Sequence, residues 1–493
     1  MTWREEYKRK LLTAQEAARL VKSGDRVAIG GSTDQPKLLQ EAIFARQDEV
    51  RGVEIVITPM VTHPCWLMPG YEESFSVTIG GWSGPFGRPL LLENRGNGLI
   101  PNSYWGSFIK SAERQARGPH VNMDCFVMKV SPPNEQGVVS LGGYRWMKKE
   151  FAQRSRTVIA EVDTNQQWFC GDTTMPISEI DHFVEYTDPM STLGGVEQAT
   201  AGMADTATRD KIRRVAEEIL PYMRSLLIPM LIQFPEQFMG FADDVIGDPP
   251  REAQPIADYI GTLVEDGDTV QLGEGTPAGF VVQMGALNGK HDLGVHTEIA
   301  CHGIGELIEG GVITGKYKAV HTGTAVFQGL DALTPRETEY CVENPKVEVY
   351  GLEHLSDVKL IAAHDNYVSM NNALAVDLTG QICFETLFGG VPVHGPGGQP
   401  DFHLGAFYSR GGRPITLLWS TAAGGGASRV VSQFEAGTVV SVGRAHAGYV
   451  VTEYGIANLF GKTLRERAGE MIAIAHPDFR AELKREAQRL FDY

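Results

Sequence analysis

Asp266-Gly-Asp-Thr-Val-Gln-Leu-Gly273 matches, 243 residues on, the earlier stretch Ser23-Gly-Asp-Arg-Val-Ala-Ile-Gly30. In both copies a helical segment gives way to a short apolar strand that empties into a glycine-rich turn. A proline able to open a helix follows each turn, Pro36 in the first and Pro277 in the second. The helix before the first copy starts at Thr13-Ala-Gln-Glu16, the form of a capping box, in which Thr and Glu satisfy free helix-end amides. It is expected to run to Lys22 and stop at Gly24. Further strands are expected at 53–57, 125–130 and 157–162, with helix-length segments between several of them. Strands alternating with helices predict an α/β protein with mainly parallel sheet. Because the repeat spans about half the chain, two related open α/β domains are expected, over 1–204 and 255–493.

Between them, 205–254 has a different character. Residues 209–241 are helix-rich, punctuated by Pro221, Pro229 and Pro235, and end in Gly247-Asp-Pro-Pro250. This segment reads as a helical insert, either a linker packed on one domain or a lid or subunit contact, because apolar 226–232 needs a cover.

Composition narrows the function. With 42% hydrophobic and 21% charged residues, the 493-residue chain has the make-up of a folded protein. A formal charge of −17 repels phosphate backbones and anionic lipid, which argues against nucleic-acid and membrane-surface roles. No stretch approaches the roughly 18 uninterrupted apolar residues of a membrane span. The charged N-terminus does not read as a signal peptide. Six cysteines without a CxxC pair suit reduced thiols, so a cytoplasmic location is expected. Glycine is the outlier: 56 residues, against a usual share of about 7%.

Two glycine clusters bear on chemistry. In Gly273-Glu-Gly-Thr-Pro-Ala-Gly279, Thr276 is expected to cap a helix that begins at Pro277, leaving backbone amides aimed past the strand end, where an anion is favoured. The spacing is one residue longer than the dinucleotide fingerprint, which disfavours a nicotinamide-dependent oxidoreductase. The next strand, 292–296, runs into Thr297-Glu298, so Glu298 is expected at a carboxyl strand end, where open α/β sheets gather ligands. There it would bind a ribose, act as an acyl-transfer nucleophile, or sit solvated in a loop. His296, Glu298 and His302 suggest a metal, but no Pro-Cys-x-x-Cys follows, and no metal is expected. The other cluster surrounds Gly395, Gly397 and Gly398, close-set glycines that let an amide approach a reacting atom, as an oxyanion hole requires.

These residues, with six blocks in order, resemble the acetyl-CoA hydrolase/transferase family of family I CoA-transferases, within it the 4-hydroxybutyrate CoA-transferase branch. The blocks are Val130-Ser-Pro-Pro-Asn-Glu-Gln-Gly137, Leu293-Gly-Val-His-Thr-Glu298, Gly310-Gly-Val-Ile-Thr-Gly315, Val376-Asp-Leu-Thr-Gly-Gln381, Gly397-Gly-Gln-Pro-Asp-Phe402, and a terminal run with Val451-Thr-Glu-Tyr-Gly-Ile-Ala457, Gly461-Lys-Thr-Leu-Arg465 and Ala475-His-Pro-Asp-Phe479. The resemblance implies a CoA-transferase in which Glu298 forms a glutamyl-CoA thioester by ping-pong chemistry. It implies oxyanion donors at the amides of Glu274 and a glycine near Gly397, with Gly273, Gly275, Gly395, Gly398 and Gln399 lining the substrate site. Acyl-CoA and a small carboxylic acid are then the substrates, with no tightly bound cofactor, and a homodimer is expected.

Glu274 departs from the family, which usually carries an apolar residue there. A carboxylate so placed either reshapes the acid pocket or activates water, making an acyl-CoA hydrolase. A non-catalytic acyl-CoA-binding protein is the reading if Glu274 has disabled the site. Pro396, Pro400 and the long 205–254 segment are further departures.

Overall fold

The structure is a computed structural model that describes residues 2–30, 34–57, 70–80, 83, 91–93, 98–100, 122–387 and 389–491. Cys65 and the Gly31-Ser32 part of the first turn lie outside the described residues.

The strands of the first half are β1 (Arg26–Ile29), β2 (Val53–Ile57), β3 (Phe75–Gly80), β4 (Gly98–Ile100), β5 (Met123–Val130), β6 (Ser155–Val162) and β7 (His182–Glu185). They form a parallel sheet in the order β7-β6-β5-β1-β2-β3-β4. The second half supplies β8 (Thr269–Leu272), β9 (Gly294–Ile299), β10 (Ala325–Gly329), β11 (Val347–Val349), β12 (Tyr367–Asn372), β13 (Arg413–Leu417) and β14 (Tyr449–Thr452). Their order is β14-β13-β12-β8-β9-β10-β11, again parallel. Each half thus places its opening strand in the middle, the next three on one side and the last three on the other. The sequence repeat at β1 and β8 is the visible part of a repeated topology.

Two edges extend the second sheet. β15 (Gly455–Asn458) returns antiparallel to β14, and the two-residue strand Cys170–Gly171, from the first half, pairs parallel with β11. The halves also meet where the backbone of Gly143 accepts from Leu330 at 2.9 Å and Arg145 donates to Gln328 at 3.0 Å.

Both faces of the first sheet are covered, as parallel strands joined by helical crossovers require. The alternation is clear on β5: Cys125 and Val127 pack with Val27 and Ile29, while Phe126, Met128 and Val130 pack with Ala28 on the other face. The capping box at Thr13 forms, but helix α1 covers only Ala14–Ala18, shorter than expected. The chain then tightens into i+3 turns at Leu20 and Val21, and the Arg46 guanidinium takes the carbonyls of Ala18 and Val21. The helix expected after Pro36 is α2 (Lys37–Phe44).

The helices α3 (Thr206–Glu218), α4 (Pro221–Gln233) and α5 (Pro235–Ile246) follow the first half. The apolar 226–232 stretch packs with Val196, Ile212, Val215, Ala216 and Phe238, so these helices and the one just before them, Leu193–Thr200, supply its cover. Among the described residues no helix is long and apolar enough to cross a membrane.

Candidate active site

Glu298 is the penultimate residue of β9, inside the strand and not just beyond it, because pairing with β10 continues to Ile299 opposite Gly329. Its neighbour Thr297 is tied to the end of β8: the hydroxyl donates to the Leu272 carbonyl at 3.0 Å and accepts from the Leu272 amide at 3.1 Å. Strand alternation then turns Glu298 to the opposite side.

On that side lies the third glycine cluster. A Cβ built on Gly398 would stand 2.8 Å from Glu298 Oε2, so only glycine leaves room for the carboxylate. Residues 393–399 are buried throughout, Gly395 included, and Gly397 is left-handed at φ +60°. Gly398 leads directly into helix α6 (Gln399–Tyr408). The Phe384 ring meets His394 edge-on at 4.4 Å and helps fix the loop.

The Gly273 turn is the second wall. Gly273 cannot serve as an oxyanion donor, because its amide donates to the Met370 carbonyl at 2.7 Å. Its missing side chain has a different use, since a Cβ there would meet that carbonyl and Asn371 at about 3 Å. Gly275 turns the chain at φ +84°. No α-helix starts at Pro277, and Thr276 is not its cap. A single 3₁₀ turn, Ala278–Phe280, forms instead, and the Ala278 amide donates to Asn372 Oδ1 at 2.9 Å.

Asn372, at the carboxyl end of β12, connects both walls. Its Nδ2 donates to the Glu274 carbonyl at 2.8 Å, while its own carbonyl accepts from Gln399 Nε2 at 3.1 Å. Beside it Asn371 and Gln271 exchange amide hydrogen bonds at 2.8 and 3.1 Å. Neither asparagine was singled out from the sequence. The available signal was a pair of asparagines ending an apolar strand.

The amides of Glu274, Gly397 and Gly398 donate to no acceptor among the described residues, and the Glu298 carboxylate has no hydrogen-bond or ion-pair partner there. Burial raises the Glu298 carboxyl to about 8, and the charges of Glu274 and Asp401 push in the same direction. Burial also raises Glu274. Glu274 is nonetheless exposed and Glu298 partly so, and both carboxyls can be reached from solvent. Asp401, in the first turn of α6, is an acidic neighbour that sequence reasoning passed over.

The histidines considered as metal ligands are engaged elsewhere. His296 Nε2 lies 3.0 Å from the Leu355 carbonyl, and His302 Nδ1 lies 2.6 Å from Gln283 Nε2. A carboxylate unpaired among the described residues, lying against a glycine whose own amide is free, is an arrangement suited to nucleophilic acyl transfer.

Comparison with known proteins shows which family the chain resembles. Family models described as the acetyl-CoA hydrolase/transferase N-terminal and C-terminal domains match residues 1–62 with 108–192, and 335–487. The chain is 30% identical to a 4-hydroxybutyrate coenzyme A transferase of Clostridium kluyveri over all of both proteins. It is 31% identical to a succinyl-CoA:cyclohexane-1-carboxylate CoA transferase of Geobacter metallireducens, over 99% of this chain and 97% of that one. The crystal structure of a 4-hydroxybutyrate CoA-transferase from Porphyromonas gingivalis superposes with a TM-score of 0.69 at 27% identity, covering 99% of this chain and 100% of that one.

Proposed function

The chain belongs to the acetyl-CoA hydrolase/transferase family, and on that premise we propose that it moves coenzyme A from an acyl-CoA to a small carboxylic acid through Glu298. The observation that carries the reading is the Glu298 carboxylate, unpaired among the described residues and pressed against Gly398.

In the first step an ionised Glu298 oxygen bonds to the thioester carbonyl carbon, and the carbon–sulfur bond breaks. An acyl-glutamyl anhydride and CoA thiolate result. The thiolate then attacks the Glu298 side-chain carbonyl carbon, expelling the first acid as its carboxylate and leaving a glutamyl-CoA thioester. A second carboxylate reverses both steps and leaves as the new acyl-CoA. Each tetrahedral intermediate carries an oxyanion, for which the free amides at Glu274 and Gly397 are preorganised donors. A carboxyl with a raised pKa is more basic and therefore a stronger nucleophile once ionised. Binding of the remote CoA tail supplies energy for the strained steps, and transfer requires that water be kept from the anhydride. CoA enters as substrate and no resident cofactor takes part.

Intact-mass analysis after mixing with a panel of acyl-CoAs tests this. A CoA-sized adduct, trapped by borohydride and absent in Glu298→Ala, is expected; no adduct across the panel would overturn the reading.

One observation favours a second reading. The Glu274 carboxyl is both raised and solvent-accessible, so it is placed to take a proton from water and make the protein an acyl-CoA hydrolase. Acyl-CoA loss measured with and without an acceptor acid separates the two.

A further inference from the structure

Beneath the site, polar side chains run in one line across the second sheet. Thr269 pairs with Gly294, so even steps along β8 and β9 bring Gln271 and Glu298 to one face. Gln271 is two residues past Thr269 and in register with Ser369, while Asn371 of β12 is in register with Thr416 of β13. All of them therefore share the face over which helix α6 packs. We propose that His403 is a positioning residue for acyl transfer: its two ring nitrogens lock α6, and with it Gly398, against the strands that carry the Gly273 turn. This rests on the transferase function and deepens it.

His403 is fully buried. Its Nδ1 lies 3.4 Å from both Ser369 Oγ and Asn371 Nδ2, and its Nε2 lies 3.1 Å from Thr416 Oγ1. An amide nitrogen can only donate, so Nδ1 accepts from Asn371, and the ring proton sits on Nε2 and goes to Thr416. Burial lowers the imidazole to about 3 and keeps it in this neutral form. Asn371 Nδ2 also donates to Gln271 at 2.8 Å, and a Cβ on Gly273 would stand 3.1 Å from Asn371 Oδ1. The line Thr416–His403–Asn371–Gln271 thus reaches from α6 to the Gly273 turn.

Its other end bears on Glu298. Gln399 Nε2 donates to the Asn372 carbonyl one helical turn before His403, so α6 is bonded to β12 at two points on one side. Phe402 and Ala406 of the same helix pack with Ile361 and Tyr367. Such apolar contacts are non-directional and let a helix slide slightly, whereas hydrogen bonds restrain both distance and angle. Gly398 stands directly before α6 and borders the Glu298 carboxylate, so a slide of α6 displaces the carboxylate's neighbour.

The test follows single-turnover formation of the borohydride-trappable adduct in the full-length protein. Its substrate is whichever of acetyl-, butanoyl- and succinyl-CoA labels the wild type fastest, and thermal melts run alongside. His403→Leu keeps apolar bulk and removes both polar contacts. A maximal rate at least about tenfold lower is expected, with the half-saturating acyl-CoA concentration within about twofold of wild type. In His403→Asn an amide oxygen can stand in for Nδ1 towards Asn371, and the rate should return to within about threefold of wild type. Thr416→Val strands the buried Nε2–H and should slow the maximal rate about three- to tenfold; this variant carries the test if His403→Leu does not fold. Wild-type rates in His403→Leu or Thr416→Val, or equal losses in the Leu and Asn variants that follow their melting temperatures, overturn this inference and leave the transferase reading standing. Absence of a Glu298 adduct in the wild type with any acyl-CoA overturns the transferase reading itself, and this one with it.

Discussion

Gly398 holds open the space that the Glu298 carboxylate occupies: a Cβ on residue 398 would come within 2.8 Å of Oε2 and 2.9 Å of the Phe402 ring. Gly398→Ala is therefore expected to push the carboxylate out of line. Formation of the borohydride-trappable adduct should slow by at least about 100-fold, the scale of an ångström-sized misplacement. Rapid-quench mass spectrometry measures this. Thermal melts should fall as well, because the added methyl also meets the buried Phe402 ring.

Glu298→Gln should stabilise the fold, increasingly so as pH rises. The native carboxyl titrates near 8, well above the ordinary value of 4.5, so between these pH values the folded state binds more protons than the unfolded one. Stability conferred by that proton is complete below the unfolded value and is lost as pH rises through the folded value. At about 1.4 kcal/mol per pKa unit, the variant is expected to gain a few kcal/mol over the wild type at pH 9 and little at pH 4. Denaturant titrations across that range check it; a gain that does not vary with pH would contradict it.

Glu274→Gln removes the larger of the two neighbouring charges that raise Glu298. The pH at which single-turnover adduct formation reaches half its maximum, expected near 8 in the wild type, should move down by about one unit. A midpoint that stays in place would mean that burial and Asp401 set it without Glu274.

Asn372→Ala deletes the donor to the Glu274 carbonyl and the acceptor for the Ala278 amide. A loss of about 1–3 kcal/mol in stability is expected. Adduct formation should slow about 10- to 100-fold, because the Glu274 amide loses its fixed aim. Paired denaturation and quench experiments separate the two effects.

What the sequence revealed and what it hid divide along the range of the interactions. The strands at β1 and β8 were readable because apolar runs bounded by glycine are local signals, and Glu298 was readable from its place at a strand end. The site's two walls were readable as glycine clusters. Their connection was not, since the Asn372 side chain reaches Glu274, 98 positions away. The misreading of Thr276 and Pro277 has the same origin: the Ala278 amide belongs to a distant asparagine, so local capping rules had no say. Asp401 acts on Glu298 through space and leaves no mark in spacing.

The two-residue strand Cys170–Gly171 has a consequence for dissecting the molecule. Gly171 sits so tightly against β11 that a Cβ would lie 2.4 Å from the Val349 carbonyl, and the strand finishes the outer margin of a sheet otherwise built from the second half. A gene cut within α3–α5 would give an amino-terminal fragment with a displaced strand and a carboxyl-terminal fragment with an open hydrogen-bonding margin at β11. Neither piece would be self-sufficient. Produced together, they should reassemble through that margin, as a split protein does.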